Sequence, residues 1–258
     1  MRMPAKKPFG SVIPAMVTPF TADGAVDFQR AGELAERLVA QGADGLLVCG
    51  TTGESPTLSL REKLRLMEVV VDAVGDRVFI WAGTGSNATE ATIELTREAQ
   101  RVGVDGIMLV TPYYNKPPQY ALRDHFTRVA AATDLPIMLY NVPGRTGCNL
   151  EPETVSHLSR VANIVAIKEA SGNLDQVSRI RRETDAAFLI YSGDDSLTLP
   201  ILSVGGSGVV SVAAHLVAGE LRQLITSFQS GQVKRAQEIH LHLFPLLRAL
   251  FITTNPIP

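Results

Sequence analysis

"NIVAIKEASGN", residues 163–173, is the stretch from which the fold is read. Ile164, Val165, Ala166 and Ile167 form a short apolar run with β-branched residues, the mark of a buried strand. Lys168, charged and long, is attached to its end. An apolar run without polar alternation implies a strand covered on both faces.

Seven further runs of this kind lie outward from it. They are "VIPAMVTPF" from Val12, "GLLVCG" from Gly45, "VFIWAG" from Val78, "GIMLVTP" from Gly106, "PIMLYNVP" from Pro136, "FLIYSG" from Phe188 and "GVVSV" from Gly208. Segments with helical spacing separate them, among them Phe28 to Ala40, Leu60 to Val74, Glu90 to Val102 and Tyr120 to Ala132. Strands alternating with helices imply parallel pairing through crossovers. Eight such units predict an α/β fold, a (β/α)₈ TIM barrel, with a doubly wound open sheet as the alternative. No strand signal follows Val212. Leu216 to Phe228 and Val233 to Phe251 read as helices packed on the barrel, with Pro245 marking a kink or break. The expected division is a barrel over 1–231 and a helical C-terminal segment over 232–258.

Composition narrows the function classes. The 258 residues are 45% hydrophobic, enough for a sizeable core. A formal charge of −2 without a basic run argues against a nucleic-acid partner. Lys6-Lys7 is followed by no apolar segment of signal-peptide type. Ser196 to Gly219 carries no Asp, Glu, Lys or Arg, but Pro200, Gly205, Gly206 and Gly208 divide it into a short helix, a turn and a strand, so a membrane span is rejected. Cys49 and Cys148 read as buried or incidental thiols of a reducing, cytoplasmic setting.

Barrel enzymes work at the C-terminal ends of their strands, and the polar, glycine-rich segments fall there: "CGTTGES", "VTPYYNKP", "LYNVPGRTG", the Lys168-Glu169 pair and "SGDD". Lys168 has a bland reading, a lysine snorkelling to solvent from a strand end. Its functional reading is an amine in a partly apolar pocket, where desolvation disfavours the charged form and leaves a nucleophile able to form an imine with a ketone. Tyr140 is either a core aromatic or a proton shuttle beside that amine. Arg145 is either an exposed loop charge or a bidentate clamp for a carboxylate. "GTTGES" is either a helix cap through Ser55 or Ser59, or a place where backbone N–H groups approach an anion. The five histidines are scattered, and His240 and His242 fall on different helix faces, so no metal triad is expected. "GTGSNA", residues 83–88, imitates a dinucleotide fingerprint, but no acidic residue ends the next strand. "GGSG", residues 205–208, reads as a tight turn. No cofactor is expected.

"GTTGES", "TPYYNKP", "YNVPGRTG", "IKEASG" and "SGDD" together resemble the dihydrodipicolinate synthase family, which includes N-acetylneuraminate lyase and several 2-keto-acid aldolases. They occur in the family's order and spacing, from about Pro14 to the last residue. "YNVPGRTG" is similar to the synthase branch, because its arginine stands where the sialic-acid and hydroxyoxoglutarate branches usually lack one. The resemblance implies condensation of pyruvate with L-aspartate 4-semialdehyde to 4-hydroxy-tetrahydrodipicolinate, in lysine and diaminopimelate synthesis. It makes Lys168 the imine-forming residue. It makes Thr52, Tyr140 and Tyr114 a proton relay, with Tyr114 supplied by a neighbouring subunit. It assigns the pyruvate carboxylate to Thr51 and Thr52, the semialdehyde carboxylate to Arg145, and pocket backbone to Gly193 and Val210. It implies a homotetramer built as a dimer of tight dimers.

Two departures accompany the resemblance. Relatives continue for a few helices beyond "TTNPIP", which implies a C-terminal segment incomplete relative to the family. The positions matching the family's lysine-feedback pocket are Ser55, Leu60, Lys63, Asn87, Ala91 and Tyr113. Inhibitable relatives tend to carry histidine at the Leu60 position and glutamate at the Ala91 position. Glu90 is the one nearby carboxylate, about 100° around the helix from Ala91, so weak or absent inhibition by lysine is expected. The competing functions are a pyruvate-forming lyase or dehydratase of sialic or 2-keto-3-deoxy sugar acids, and a non-catalytic barrel. Arg145 weighs against the first. The joint presence of Lys168, Tyr140, Thr52 and Tyr114 weighs against the second.

Overall fold

The structure is a computed structural model and describes residues 7–258; Lys6 of the opening basic pair lies outside them. Each predicted apolar run contains one strand: β1 (Val12–Pro14), β2 (Gly45–Val48), β3 (Phe79–Gly83), β4 (Gly106–Val110), β5 (Ile137–Asn141), β6 (Ile164–Glu169), β7 (Leu189–Ser192) and β8 (Gly208–Ser211). The helices are α1 (Phe28–Ala40), α2 (Leu60–Val74), α3 (Thr89–Val102), α4 (Gln119–Ala130), α5 (Pro143–Thr146), α6 (Pro152–Leu158), α7 (Leu174–Glu183), α8 (Thr198–Ser203), α9 (Ala214–Gln229) and α10 (Val233–Ala249).

All strand pairs are parallel, and β1 pairs with β8. The remaining seam is closed by a parallel bridge between Ala15 and Leu47, where the Met16 N–H donates to the Leu47 carbonyl at 2.9 Å. This closure makes the sheet a (β/α)₈ barrel and overturns the open-sheet alternative. Closure also explains the unbroken apolar runs. One face of each strand packs inside the barrel and the other meets a helix, so neither tolerates polar alternation.

Two apolar layers result. Ile13, Leu47, Phe79, Trp81, Met108, Met138, Tyr191 and Val210 pack inside the barrel. Leu46, Ile80, Ile107, Leu109, Ile137, Leu139, Ile167 and Ile190 belong to the outer layer beneath the helices. Phe9, Phe79 and Trp81 stack with ring centroids 5.0, 5.5 and 4.7 Å apart. Trp81 Nε1 donates to the Phe9 carbonyl at 3.2 Å, and Tyr191 Oη to the Gly10 carbonyl at 2.8 Å. Phe9 and Gly10 precede β1, so this aromatic plug seals the N-terminal end of the barrel. Polar chemistry is left to the other end.

Strand β6 departs from regularity at one point. Its register against β5 runs from Ile137–Ile164 directly to Met138–Ala166, so Val165 has no counterpart. Such a bulge puts two successive residues on one face. Val165 and Ala166 both lie in the interior cluster, with Ile164 and Ile167 in the outer one. Strict alternation from Ile164 would have turned Lys168 outward with it. The extra residue turns Lys168 into the barrel and seats it opposite Tyr140.

Local chemistry fixes the element ends. Ser59 caps α2, and Glu62 returns a bond to the Ser59 N–H at 2.8 Å, completing a capping box. Ser59 is therefore the cap of α2, and Ser55 opens a short 3₁₀ turn before it. Helix α10 passes through Pro245 without breaking. The carbonyl that loses its helical donor belongs to Leu241, which is 68% exposed and can meet water. The irregularity expected there occurs instead at Val217 inside α9, with φ −133° and ψ 36°. Among the described residues no helix is long and apolar enough to cross a membrane.

Candidate active site

Lys168 and Tyr140 are direct neighbours across the β5–β6 pair. Both are 5% exposed, and Lys168 Nζ stands over the Tyr140 ring, 4.1 Å from its centroid. The negative face of an aromatic ring favours a cationic nitrogen. Among the described residues no carboxylate forms an ion pair with Lys168. Gly193 follows β7 beside them, and its N–H donates to the Glu169 carbonyl at 2.8 Å. A Cβ at Gly193 would lie 3.2 Å from Lys168 Cε and 2.7 Å from Ala170 Cβ, so a side chain there would crowd the lysine. Val210 is buried inside the barrel on β8.

The loop after β2 supplies Thr51 and Thr52. It is held against β1 because the Thr18 hydroxyl donates to the Gly53 carbonyl at 2.6 Å. A Cβ at Gly53 would lie 2.8 Å from the Met16 carbonyl, so that approach requires glycine. Among the described residues the Thr51 and Thr52 amides have no acceptor. Thr52 is buried, and its Oγ1 accepts a hydrogen bond from Asn255 Nδ2 at 2.9 Å. Arg145, on α5, donates from Nη2 to the Asn255 carbonyl at 3.0 Å. Tyr114 stands apart. It is 84% exposed on the rim, with a left-handed φ of 79°. The structure thus brings Lys168 to Tyr140, and Thr52 to Arg145 through Asn255, and leaves Tyr114 pointing to solvent.

A cavity of about 550 Å³ joins this rim to the expected effector positions. Thr51, Tyr140, Val142 and Arg145 line one part; Ser55, Leu60, Lys63, Ala91 and Tyr113 line another. Asn87 is exposed and does not contribute. Glu90 is turned away, paired with Arg128. Glu94, three residues beyond Ala91 on the same helix face, lines the cavity instead. Cys49 also borders it. Burial pushes its thiol up to about 12, which makes it a poor nucleophile. Among the described residues no group of three or more His, Cys, Asp or Glu side chains could hold a metal ion.

A family model described as the dihydrodipicolinate synthetase family matches residues 8–258. The chain belongs to that family. It is an enzyme, as its named relatives are. It is 57% identical over 257 residues to a 4-hydroxy-tetrahydrodipicolinate synthase of Synechococcus elongatus, covering 99% of this chain and 86% of that one. To a Heliobacterium modesticaldum protein of the same name it is 59% identical over 249 residues, covering 96% and 83%. The crystal structure of the Cyanidioschyzon merolae synthase with lysine bound superposes with a TM-score of 0.95 at 50% identity, covering 97% of this chain and 86% of that one.

Two groups of this site received no role from motif reading. Asn255 lies in "TTNPIP" and bonds across 203 residues, which no local pattern reveals. Glu169 is the other. It faces away from Lys168, 1% exposed, and among the described residues no cation pairs with it. Its carboxylate accepts from Asn141 Nδ2 at 3.1 Å, Gln176 Nε2 at 3.1 Å and the Ser171 N–H at 2.7 Å. Asn141 follows Tyr140 on β5, so these bonds tie together the two strand ends that carry the lysine and the tyrosine. Removing the carboxylate leaves buried donors unpaired, each costing about 1–3 kcal/mol. Glu169→Ala is expected to lose about 3 kcal/mol of stability in urea unfolding. A loss below about 0.5 kcal/mol would show that the network does not hold the strand ends.

Proposed function

We propose that this chain condenses pyruvate with L-aspartate 4-semialdehyde to 4-hydroxy-tetrahydrodipicolinate, through an imine on Lys168, in lysine and diaminopimelate synthesis. The observation that carries the reading is the Lys168 amine, turned into the barrel beside Tyr140 and free of any carboxylate partner among the described residues. The amine adds to the pyruvate ketone and water leaves, forming a C=N bond. The protonated imine carries positive charge over the Tyr140 ring and withdraws electrons from the methyl carbon. Loss of a methyl proton gives an enamine. Its carbon attacks the aldehyde of the second substrate, and the new oxyanion takes up a proton. The substrate's own amine then displaces Lys168 from the imine carbon, closing the ring and freeing the enzyme. The balance is one water and one proton released per pair of substrates.

The remaining groups fit these steps. The Thr51 and Thr52 amides, without an acceptor among the described residues, suit the pyruvate carboxylate. Arg145 lines the adjoining cavity and offers a fork of donors to the semialdehyde carboxylate. Tyr140 and Thr52 move the protons at the imine's methyl carbon and at the aldehyde oxygen. The exposed Tyr114 completes the relay from a neighbouring subunit, in a tetramer of tight dimers.

Pyruvate with borohydride is expected to leave a reduced three-carbon adduct on the peptide holding Lys168, and none in Lys168→Ala. Arg145→Ala should keep the adduct while losing about 100-fold in kcat/KM for the semialdehyde, the scale of a lost charge-assisted clamp. Labelling of another peptide would defeat the imine assignment. Turnover of sialic or 2-keto-3-deoxy sugar acids in place of the semialdehyde would defeat the substrate assignment.

Subunit sharing has its own check. Mixing inactive Tyr114→Phe and Lys168→Ala proteins should restore part of the activity, because a mixed dimer regains one complete site. Demonstrated subunit exchange without recovery would rule sharing out.

Lysine is a weak effector in this reading. A dicationic ligand with one carboxylate needs buried anions. Leu60 and Ala91 supply none, and Lys63 adds repulsion. Glu94 is the carboxylate that lines the cavity. Titration with L-lysine should therefore give little inhibition in the submillimolar range, and what inhibition there is should vanish in Glu94→Gln. Strong saturable inhibition at submillimolar lysine would refute this.

A further inference from the structure

Asn255 is buried, unlike the four residues that precede it. It is 7% exposed, whereas Phe251, Ile252, Thr253 and Thr254 before it are all exposed. Both of its polar ends are used within the site. Its side-chain Nδ2 donates to Thr52 Oγ1 at 2.9 Å, and its backbone carbonyl accepts from Arg145 Nη2 at 3.0 Å.

A hydroxyl has one proton to give and two lone pairs to receive with. Where an amide N–H occupies one lone pair, the hydroxyl's own proton cannot point back at that donor. It must point to another acceptor. Thr52 is buried and follows Thr51, which lines the cavity together with Tyr140 and Arg145. On Arg145 the carbonyl occupies one donor of the fork and fixes where the planar guanidinium lies, leaving the other donors for a carboxylate.

We propose that Asn255 is a positioning residue of this site: its side-chain amide aims the Thr52 hydroxyl proton into the barrel mouth, and its carbonyl parks Arg145 over the same mouth. The role rests on the condensation proposed above. Asn255 touches no reacting atom. It acts through Thr52 on proton transfer and through Arg145 on the second substrate. The two actions are separable, because a side-chain substitution removes the first and keeps the second.

Asn255→Ala is expected to lower kcat about tenfold or more, the low end of what a positioned proton donor contributes. The KM for the semialdehyde should change less than about threefold. Borohydride trapping of pyruvate and the melting temperature should stay near wild type. In a Thr52→Val background the same substitution should add no further loss, since both act on one interaction. Asn255→Asp gives the most specific readout. An ionised carboxylate accepts the Thr52 proton and draws it out of the mouth, whereas a protonated carboxyl can donate as the amide does. Its kcat should therefore recover as the pH falls through the new carboxyl's titration, a limb absent from wild type. Wild-type kcat in Asn255→Ala would overturn the proposal. So would losses that add in the Thr52→Val background, or a kcat loss matched by losses of adduct and melting temperature. A pH profile of Asn255→Asp parallel to wild type would do the same. Wild-type protein that forms neither adduct nor product would instead defeat the proposed condensation, and the role of Asn255 with it.

Discussion

The arrangement depends on one irregularity in strand pairing. Val165 has no partner on β5, and that extra residue decides which way the end of β6 faces. Side chains along a strand alternate, so a one-residue slip exchanges inside for outside. With the bulge, Lys168 enters the barrel over the Tyr140 ring, and Glu169 turns outward into a nest of amide donors. Without it the two charges would trade places. A carboxylate would stand over the Tyr140 ring, and a lysine would meet the Ser171 N–H, which cannot accept its protons.

Glu169 and Lys168 are adjacent charged residues held in opposite surroundings. The carboxylate is buried with neutral donors on both oxygens, so its hydrogen-bonding needs are met without a cation. Its partners Asn141 and Gln176 link further through Asn149, which bonds Asn141 at 2.8 Å and Gln176 at 2.7 Å. A satisfied buried network of this kind rigidifies what it touches. Here it touches the ends of β5 and β6. The aromatic plug of Phe9, Phe79 and Trp81 fills the opposite end, leaving the mouth as the place where polar groups converge.

The mouth also opens sideways. One cavity runs from Arg145 and Tyr140 to Lys63, Ala91 and Glu94, so a charge placed in the outer part shares space with groups of the inner part. Glu90, adjacent in sequence to Ala91, is spent on Arg128 across the helix pair α3–α4, whereas Glu94, a helical step further on, returns to the wall.

Much of this was legible in the sequence. The eight apolar runs, the helices between them and the clustering of "CGTTGES", "YNVPGRTG" and Lys168 at strand ends follow from local patterns, because strand burial and helical periodicity are written within a few residues of each other. A helix cap at Ser55 or Ser59 was readable for the same reason, and the folded chain uses Ser59. Other features needed the folded chain. The closure of β1 on β2, the bulge at Val165 and the continuity of α10 through Pro245 depend on which neighbours and which solvent each backbone group meets. Asn255 belongs with them. Its two bonds cross 203 and 110 residues, and nothing around "TTNPIP" distinguishes a buried asparagine from a solvated one. Sequence determines a residue's chemistry and its local geometry. Only tertiary structure decides its partners, because hydrogen bonds and burial are formed between segments brought together by packing.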